Sequence, residues 1–169
     1  MAVHALDNTA FGFPAECFVC DLSNAAGLRL SFFHDDEANR VTSEFTLGPG
    51  YSGAPRFVHG GLVLTILDEA MAWAAIAIAG RFALVRTSKS SFRRPVSVDV
   101  PHRVEAVVEG HDAASVQARA QVLNAEGKRC AESSARLVVL SPDTARAAIG
   151  DDIGDNAHYL RPAEPGGAG

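Results

Sequence analysis

One run near the middle of the chain combines residue types that could do chemistry. Tyr51-Ser52-Gly53-Ala54-Pro55-Arg56-Phe57-Val58-His59-Gly60-Gly61 leads into an apolar stretch carrying Leu67-Asp68-Glu69-Ala70-Met71. Two glycines at a helix start let another group approach the backbone closely. The N–H groups of a first helical turn have no partner inside the helix, and with the helix dipole they favour negative charge. A carbonyl oxygen becoming an oxyanion suits such a place, with Gly60 and Gly61 as donors. Asp68 is the second element, because a carboxylate in so apolar a helix is costly unless it is paired or has a task. Pairing with a buried arginine such as Arg86 is its plain structural alternative. Glu69 is the next candidate base, although a bond within the protein or exposure to solvent suits it better. His59 is a candidate imidazole, and its position at the helix start favours a capping or loop-orienting role.

Spacing adds a constraint. Gly60 and Asp68 are eight residues apart, about 12 Å along one helix axis, so the two cannot both touch one reacting carbonyl. If both serve one site, two copies of the helix lie antiparallel, and each site takes amides from one subunit and the carboxylate from the other. The motif therefore predicts a two-fold homo-oligomer, a dimer or a dimer of dimers. The helical neighbours of Asp68 on its own face, Leu64, Thr65, Ala72 and Ala75, are mostly small and leave room for a ligand or another helix.

The elements that must position these residues follow from hydrophobic period. Leu28, Leu30 and Phe32 alternate with polar residues, Ala38 to Asn39 makes a turn, and Val41, Ser43, Phe45 and Leu47 alternate again, which predicts a hairpin. Gly48 to Pro55 reads as a loop. The helix starts near Gly60 and stops near Gly80. Strands follow over Leu84 to Arg94, ended by Pro95, and over Arg103 to Glu109. Two more run along Val116, Ala118, Ala120 and Val122, and along Ala131, Ser133, Ala135, Leu137 and Val139, joined by a turn at Asn124 to Gly127. Two strands, one very apolar helix and four strands predict an α+β fold in which a single antiparallel sheet curls around one buried helix. Residues 1–27 read as a lead-in, 28–141 as the domain and 142–169 as a tail that is partly disordered, notably Pro162 to Gly169.

Composition sets the outer bounds. The 169 residues suit one domain. Fifteen Lys plus Arg against twenty Asp plus Glu give a net charge of −5, which argues against a general nucleic-acid binder. Leu62 to Ala79 is apolar except for Thr65, Asp68 and Glu69, but it is short for a membrane span and carries two acids near its centre. No membrane partner is expected. The start of the chain shows no secretory pattern, and three cysteines make no disulfide framework, so a cytoplasmic setting is expected. Cys17 and Cys20 have zinc-like spacing, but no second Cys or His pair completes four ligands, and His34 and Cys130 lie far off in sequence. No metal is expected. Trp73 and Met71 read as core or dimer packing.

These residues together resemble the hotdog-fold thioesterase superfamily in its PaaI-like acyl-CoA thioesterase branch. The resemblance rests on His59-Gly60-Gly61 with Asp68 nine residues after the His, on Cys17-Phe18-Val19-Cys20, on Asn24-Ala25-Ala26-Gly27-Leu28, on Gly53 and Pro55, and on Phe92-Arg93-Arg94-Pro95-Val96. It covers roughly residues 17–140. It implies hydrolysis of a thioester to free acid and CoA, with the Gly60 amide at the oxyanion and Asp68 as general base or as nucleophile. It implies no cofactor beyond the coenzyme A of the substrate. A hydroxyl residue on the strand after the helix often assists in that family. Counting back from Pro95 puts Val85 there, so Thr87 or Ser88 is the candidate helper. Asp21 and Ala25 stand where Gly and Pro are common. Arg93 and Arg94 are candidates for the phosphates of coenzyme A, or solvated charges at a strand end. The competing classes are a non-catalytic acyl-CoA-binding hotdog protein and a hotdog dehydratase or hydratase, whose different His-containing helix-start motif is absent here.

Overall fold

Alternation decides most of the sheet. In β8 (Ser115–Asn124), Val116, Ala118, Ala120 and Val122 are buried while Gln117 and Arg119 are exposed. In β9 (Arg129–Val139), Ala131, Ser133, Ala135 and Leu137 are buried in the same way. A period of two puts one set of side chains on one face, and that face must be covered. The computed structural model describes residues 2–8 and 16–149 of the chain, so the expected disorder at Pro162 to Gly169 lies outside the described residues.

The remaining strands of the main sheet are β1 (Val3–Leu6), β2 (Phe32–Asp35), β3 (Arg40–Phe45), β6 (Ala83–Phe92) and β7 (His102–His111). All seven strands pair antiparallel in the order β1-β2-β3-β7-β8-β9-β6. Two short strands, β4 (Ser52–Ala54) and β5 (Phe57–Val58), pair with each other. Helix α1 (Gly60–Ala77) lies between β5 and β6 in the chain and packs on the sheet, and α2 (Pro142–Ile149) follows β9. This is the expected α+β arrangement of one long helix on one antiparallel sheet.

Helix α1 buries Val63, Ile66, Leu67, Ala70, Met71, Trp73, Ala74, Ala75 and Ile76, and several of these are fully enclosed with Phe32, Val41, Val104, Val122 and Leu137 from the sheet. It is long and apolar enough to cross a membrane, with a mean hydropathy of 1.5, yet half of it is buried inside this fold. One stripe stays open: Gly61, Leu64 and Asp68 are exposed, and Thr65 and Ala72 are half-buried. Gly80, at φ +63°, follows the helix where the stop is expected.

Several sequence expectations are corrected. Leu28, Leu30 and Phe32 are buried alternately, but the ladder begins only at Phe32. Arg29 takes a φ of +54°, and the Leu28 and Leu30 N–H groups donate to the carbonyls of Phe18 and Val19 at 2.7 and 2.8 Å. That stretch therefore pairs with the lead-in and not with β3. Within the lead-in, β1 lies at the sheet edge, and Leu6 and Val19 join the same core. The expected loop over 48–55 holds a 3-10 turn at Pro49–Tyr51 and strand β4. Beyond Ser141 the fading pattern hides α2, whose Ala145 is buried against Phe82, Leu140 and Ile149.

Gly27 shows how tightly the lead-in is seated. A Cβ at this position would lie 2.5 Å from the Phe18 carbonyl oxygen, the acceptor of the Leu28 N–H. Gly27→Ala is expected to lower the unfolding free energy by about 1–3 kcal/mol, read by urea denaturation. Gly50→Ala, where an added Cβ meets nothing within 4 Å, serves as a near-neutral control.

Candidate active site

The helix start is fixed from both sides before the helix begins. The His59 N–H donates to the Tyr51 carbonyl at 2.9 Å, and the Val58 N–H donates to the Val96 carbonyl at 2.8 Å. Val98 returns the second contact by donating to the Arg56 carbonyl at 3.0 Å. His59 thus becomes the N-cap, with φ −58° and ψ 130°, and its Nδ1 accepts the Gly61 N–H at 2.9 Å. A ring nitrogen does here what a Ser or Asp oxygen does at most helix starts. The structure thereby places His59 in the capping role.

The cap makes the two glycine amides unequal. The Gly61 N–H is spent on His59, whereas the Gly60 N–H has no hydrogen-bond acceptor among the described residues. The Phe92 ring, itself 55% exposed, is the near neighbour of Gly60: a Cβ added there would meet it at 3.7 Å. Gly60 therefore presents a free donor beside an exposed aromatic edge.

Two turns along the helix, Asp68 stands in the open stripe. Among the described residues it takes part in no ion pair, with Arg86 or with any other cation. Partial desolvation raises its carboxyl above the ordinary aspartate value. It borders two clefts. One, of about 270 Å³, is lined by Leu64, Thr65, Met71 and the hydroxyls of Ser88, Ser90 and Ser133. The other, of about 340 Å³, is more apolar, with Trp73, Ile76, Phe82 and Leu84 among its walls and Glu69 and Cys17 at its polar end. A carboxylate on the ridge between a hydroxyl-lined and an apolar cleft has room for both a water and an acyl group.

The strand after the helix decides which hydroxyls share a cleft with Asp68. β6 pairs with β9 through Val85 with Leu137, then Thr87 with Arg136 and Ser88 with Ala135. Arg86 is the extra residue of a bulge, and it shifts the side-chain parity of everything after it. Thr87 then shares a face with exposed Arg136, while Ser88 and Ser90 share the face of Ala135 and Ser133. Ser90 Oγ donates to Ser133 Oγ at 2.9 Å. Ser88 lines the same cleft as Asp68, and Thr87 lies on the opposite face of β6. Ser90 and Ser133 are additions that sequence counting does not supply, because the bulge has no composition signal.

Arg93 and Arg94 sit at the end of β6 and line neither cleft at Asp68. Arg93 is ion-paired to Glu132, and Arg94 donates to the Arg129 carbonyl at 2.8 Å. Both are exposed, so a phosphate would have to share Arg93 with its carboxylate partner.

Glu69 points away from Asp68's hydroxyl cleft towards the lead-in. Cys17 Sγ lies 3.4 Å from its Oε1, within hydrogen-bond reach. Burial pushes the Glu69 carboxyl up to about 7. The hydrogen bond between the two thiols holds Cys17 below the usual thiol range and keeps the proton on Cys20. Cys130 is buried elsewhere, on β9.

Comparison with known proteins places this arrangement. Residues 56–131 match the family profile described as the thioesterase superfamily, a span that includes the His59 cap, Gly60, Asp68, β6 and its bulge. The chain is similar to the crystal structure of a thioesterase superfamily protein at 22% identity, with a TM-score of 0.63 over 68% of this chain and 56% of that one. It is similar to the Escherichia coli PaaI protein from the phenylacetic acid degradation operon at 17% identity, TM-score 0.57, over 61% and 74% of the two chains. It is also similar to a Streptococcus mutans protein bound to acetyl CoA at 15% identity, TM-score 0.57, over 60% and 82%. At these identities the likeness is one of fold, and the first of these proteins is matched over little more than half its length. The profile match and the shared architecture agree: residues 56–131 are similar to the thioesterase superfamily profile, and the fold is the hotdog fold of these solved structures.

Proposed function

We propose that the protein is a thioester hydrolase acting on acyl-CoA, with Asp68 as its catalytic carboxylate and the Gly60 amide as the oxyanion donor. The observation that carries this reading is the pair of unspent groups on one helix: a carboxylate without a counter-ion between two clefts, and a helix-start N–H without an acceptor. Water attacks the thioester carbonyl while Asp68 takes its proton, or Asp68 attacks directly and the mixed anhydride is then hydrolysed. In both routes the carbonyl oxygen gains charge and the thiolate of CoA leaves. Gly60 stabilises that oxygen at the positive end of the helix. Ser88 orients the water or the carboxylate from across the hydroxyl-lined cleft.

The apolar cleft under Trp73, Ile76 and Phe82 suits a medium-chain or aromatic acyl group. The acetyl CoA bound to the Streptococcus mutans protein supports the class of ligand. The open stripe of α1 supports the oligomer: Gly61, Leu64 and Asp68 are exposed in a single chain, and eight residues separate Gly60 from Asp68 on one rigid rod. A second α1 lying antiparallel over this stripe would set each Asp68 near the partner's helix start. Arg93 and Arg94 remain candidates for the phosphates of coenzyme A.

Free-thiol release across short, medium, long and aromatic acyl-CoAs tests the reading. Asp68→Asn is expected to cut kcat by about 10²–10⁴-fold with the oligomer intact. Undiminished turnover would remove Asp68 from the chemistry, and no release from any substrate would favour a binding protein. Gly60→Pro isolates the amide. Proline is well tolerated at the first helical position, and the extended backbone of His59, at ψ 130°, is what a residue before proline requires. Loss of that one N–H is expected to lower kcat about 10²–10³-fold.

Mixing the two inactive variants reads the shared site directly. Random re-assortment into two-fold dimers rebuilds one intact site in each mixed dimer, so about a quarter of wild-type activity should return. No recovery after verified subunit exchange would place both groups in one chain.

The bulge gives a separate comparison. Ser88→Ala is expected to lower kcat by about 10-fold or more, consistent with losing one transition-state hydrogen bond. Thr87→Ala should leave kcat within about two-fold of wild type, since that side chain faces the other way. The reverse order would reject the parity assigned to β6.

A further inference from the structure

The lead-in carries a cluster that the proposed hydrolysis does not use. Cys17 Sγ, Cys20 Sγ and a Glu69 carboxylate oxygen all lie within 4.8 Å of one another. We propose that these three residues bind a thiophilic divalent cation of the zinc class, which cross-links the lead-in to helix α1 beside Asp68.

The turn itself is built for a metal thiolate. Cys17 to Asp21 close through the Asp21 N–H, which donates to the Cys17 carbonyl at 3.2 Å. Within this turn the N–H groups of Val19 and Cys20 are aimed at Cys17 Sγ, at 3.4 and 3.5 Å. Amides pointed at a sulfur stabilise it as the thiolate that a metal needs. The third ligand comes from a distant part of the chain, 52 residues from Cys17, and that is why cysteine spacing alone does not reveal the site.

Glu69 is the second independent observation. It is a half-buried carboxylate on the apolar core helix, and among the described residues no Lys, Arg or His pairs with it. Its polar neighbours are two thiols, which are poor partners for a carboxylate. A buried carboxylate is ordinarily matched by a cation, and the two sulfurs are the metal-ligating atoms grouped with it.

The geometry is close to what such an ion takes. Tetrahedral zinc with Zn–S of about 2.3 Å and Zn–O of about 2.0–2.2 Å holds its ligand atoms roughly 3.5–3.8 Å apart. Cys17 Sγ and Glu69 Oε1, 3.4 Å apart, are already near that range, and all three ligand atoms lie within 4.8 Å of one another. The fourth position falls to water or to Asn8, whose amide nitrogen is 3.1 Å from Cys20 Sγ. The other amide orientation turns its oxygen to the same place. Soft sulfur selects zinc-class ions over magnesium or calcium. On binding, two S–H bonds break, their protons pass to solvent and two metal–sulfur bonds form, with no change of oxidation state.

The cluster lies at the polar end of the apolar cleft that Asp68 borders, so the cross-link would fix one wall of that cleft. The assignment stands whether or not the protein hydrolyses thioesters.

The test is metal content and a spectroscopic probe on the full chain, reduced and purified without chelator. After zinc loading and gel filtration, about one equivalent per chain is expected. Cobalt substitution should give thiolate-to-metal charge-transfer bands with the intense visible bands of a tetrahedral site. Cys17→Ser, Cys20→Ser and the shape-preserving Glu69→Gln should each weaken binding by about 100-fold or more, with far-UV dichroism unchanged for Glu69→Gln. Cys130→Ser should bind as wild type. Less than a tenth of an equivalent in reduced wild-type protein overturns the proposal. So does binding that survives Glu69→Gln undiminished, or a Cys17–Cys20 disulfide that on reduction yields thiols which still take no metal.

Discussion

Everything polar about this protein is arranged around the burial of one helix. Nine of the residues of α1 are buried against the sheet, and at about 25 cal/mol per Å² of apolar surface this is the dominant local stabilisation. Once that face is committed, the helix cannot rotate, because a turn of one position would push Asp68 or Glu69 into the core. The rigid commitment fixes three directions at once. The first-turn amides point out of the helix start, Asp68 points into the open stripe, and Glu69 points at the lead-in. Each functional direction is thus a by-product of where the apolar residues had to go.

The helix start depends in turn on backbone bonds outside the helix. The Tyr51 and Val96 carbonyls hold His59 and Val58, so the capping imidazole arrives preset. Because His59 satisfies Gly61, the helix is not left with two competing free donors, and a single N–H at Gly60 is aimed outward. For the proposed oxyanion role such preorganisation matters, since nothing has to move when charge develops.

Much of this was legible before the structure. Period-two alternation identified β7, β8 and β9, and the apolar run with its terminal glycines located α1, because both signals are local. The His59, Gly60 and Asp68 grouping was legible for the same reason. Other features depend on distant or conformational causes that residue type does not encode. The positive φ at Arg29 ends the extended pairing early. The four residues of β1 become a strand only because β2 offers an edge. Glu69 meets Cys17 only through tertiary folding, so neither motif announces the other. Which of Thr87 and Ser88 faces the cleft turns on a bulge, and counting residues back from Pro95 silently assumes that none exists.

That bulge at Arg86 has a consequence for how the strand takes up a change of length. Both ends of β6 keep their pairing with β9, from Ala83 opposite Val139 to Phe92 opposite Ala131, so the one-residue slip is absorbed in the middle of the strand. Removing the extra residue would leave Val85 opposite Leu137 and Thr87 opposite Arg136, so Ser88 and Ser90 would keep the face of Ala135 and Ser133 while the sheet and the helix stayed where they are. A one-residue change of length in this edge strand can therefore be taken up at the bulge, with the hydroxyl row beside Asp68 left in place.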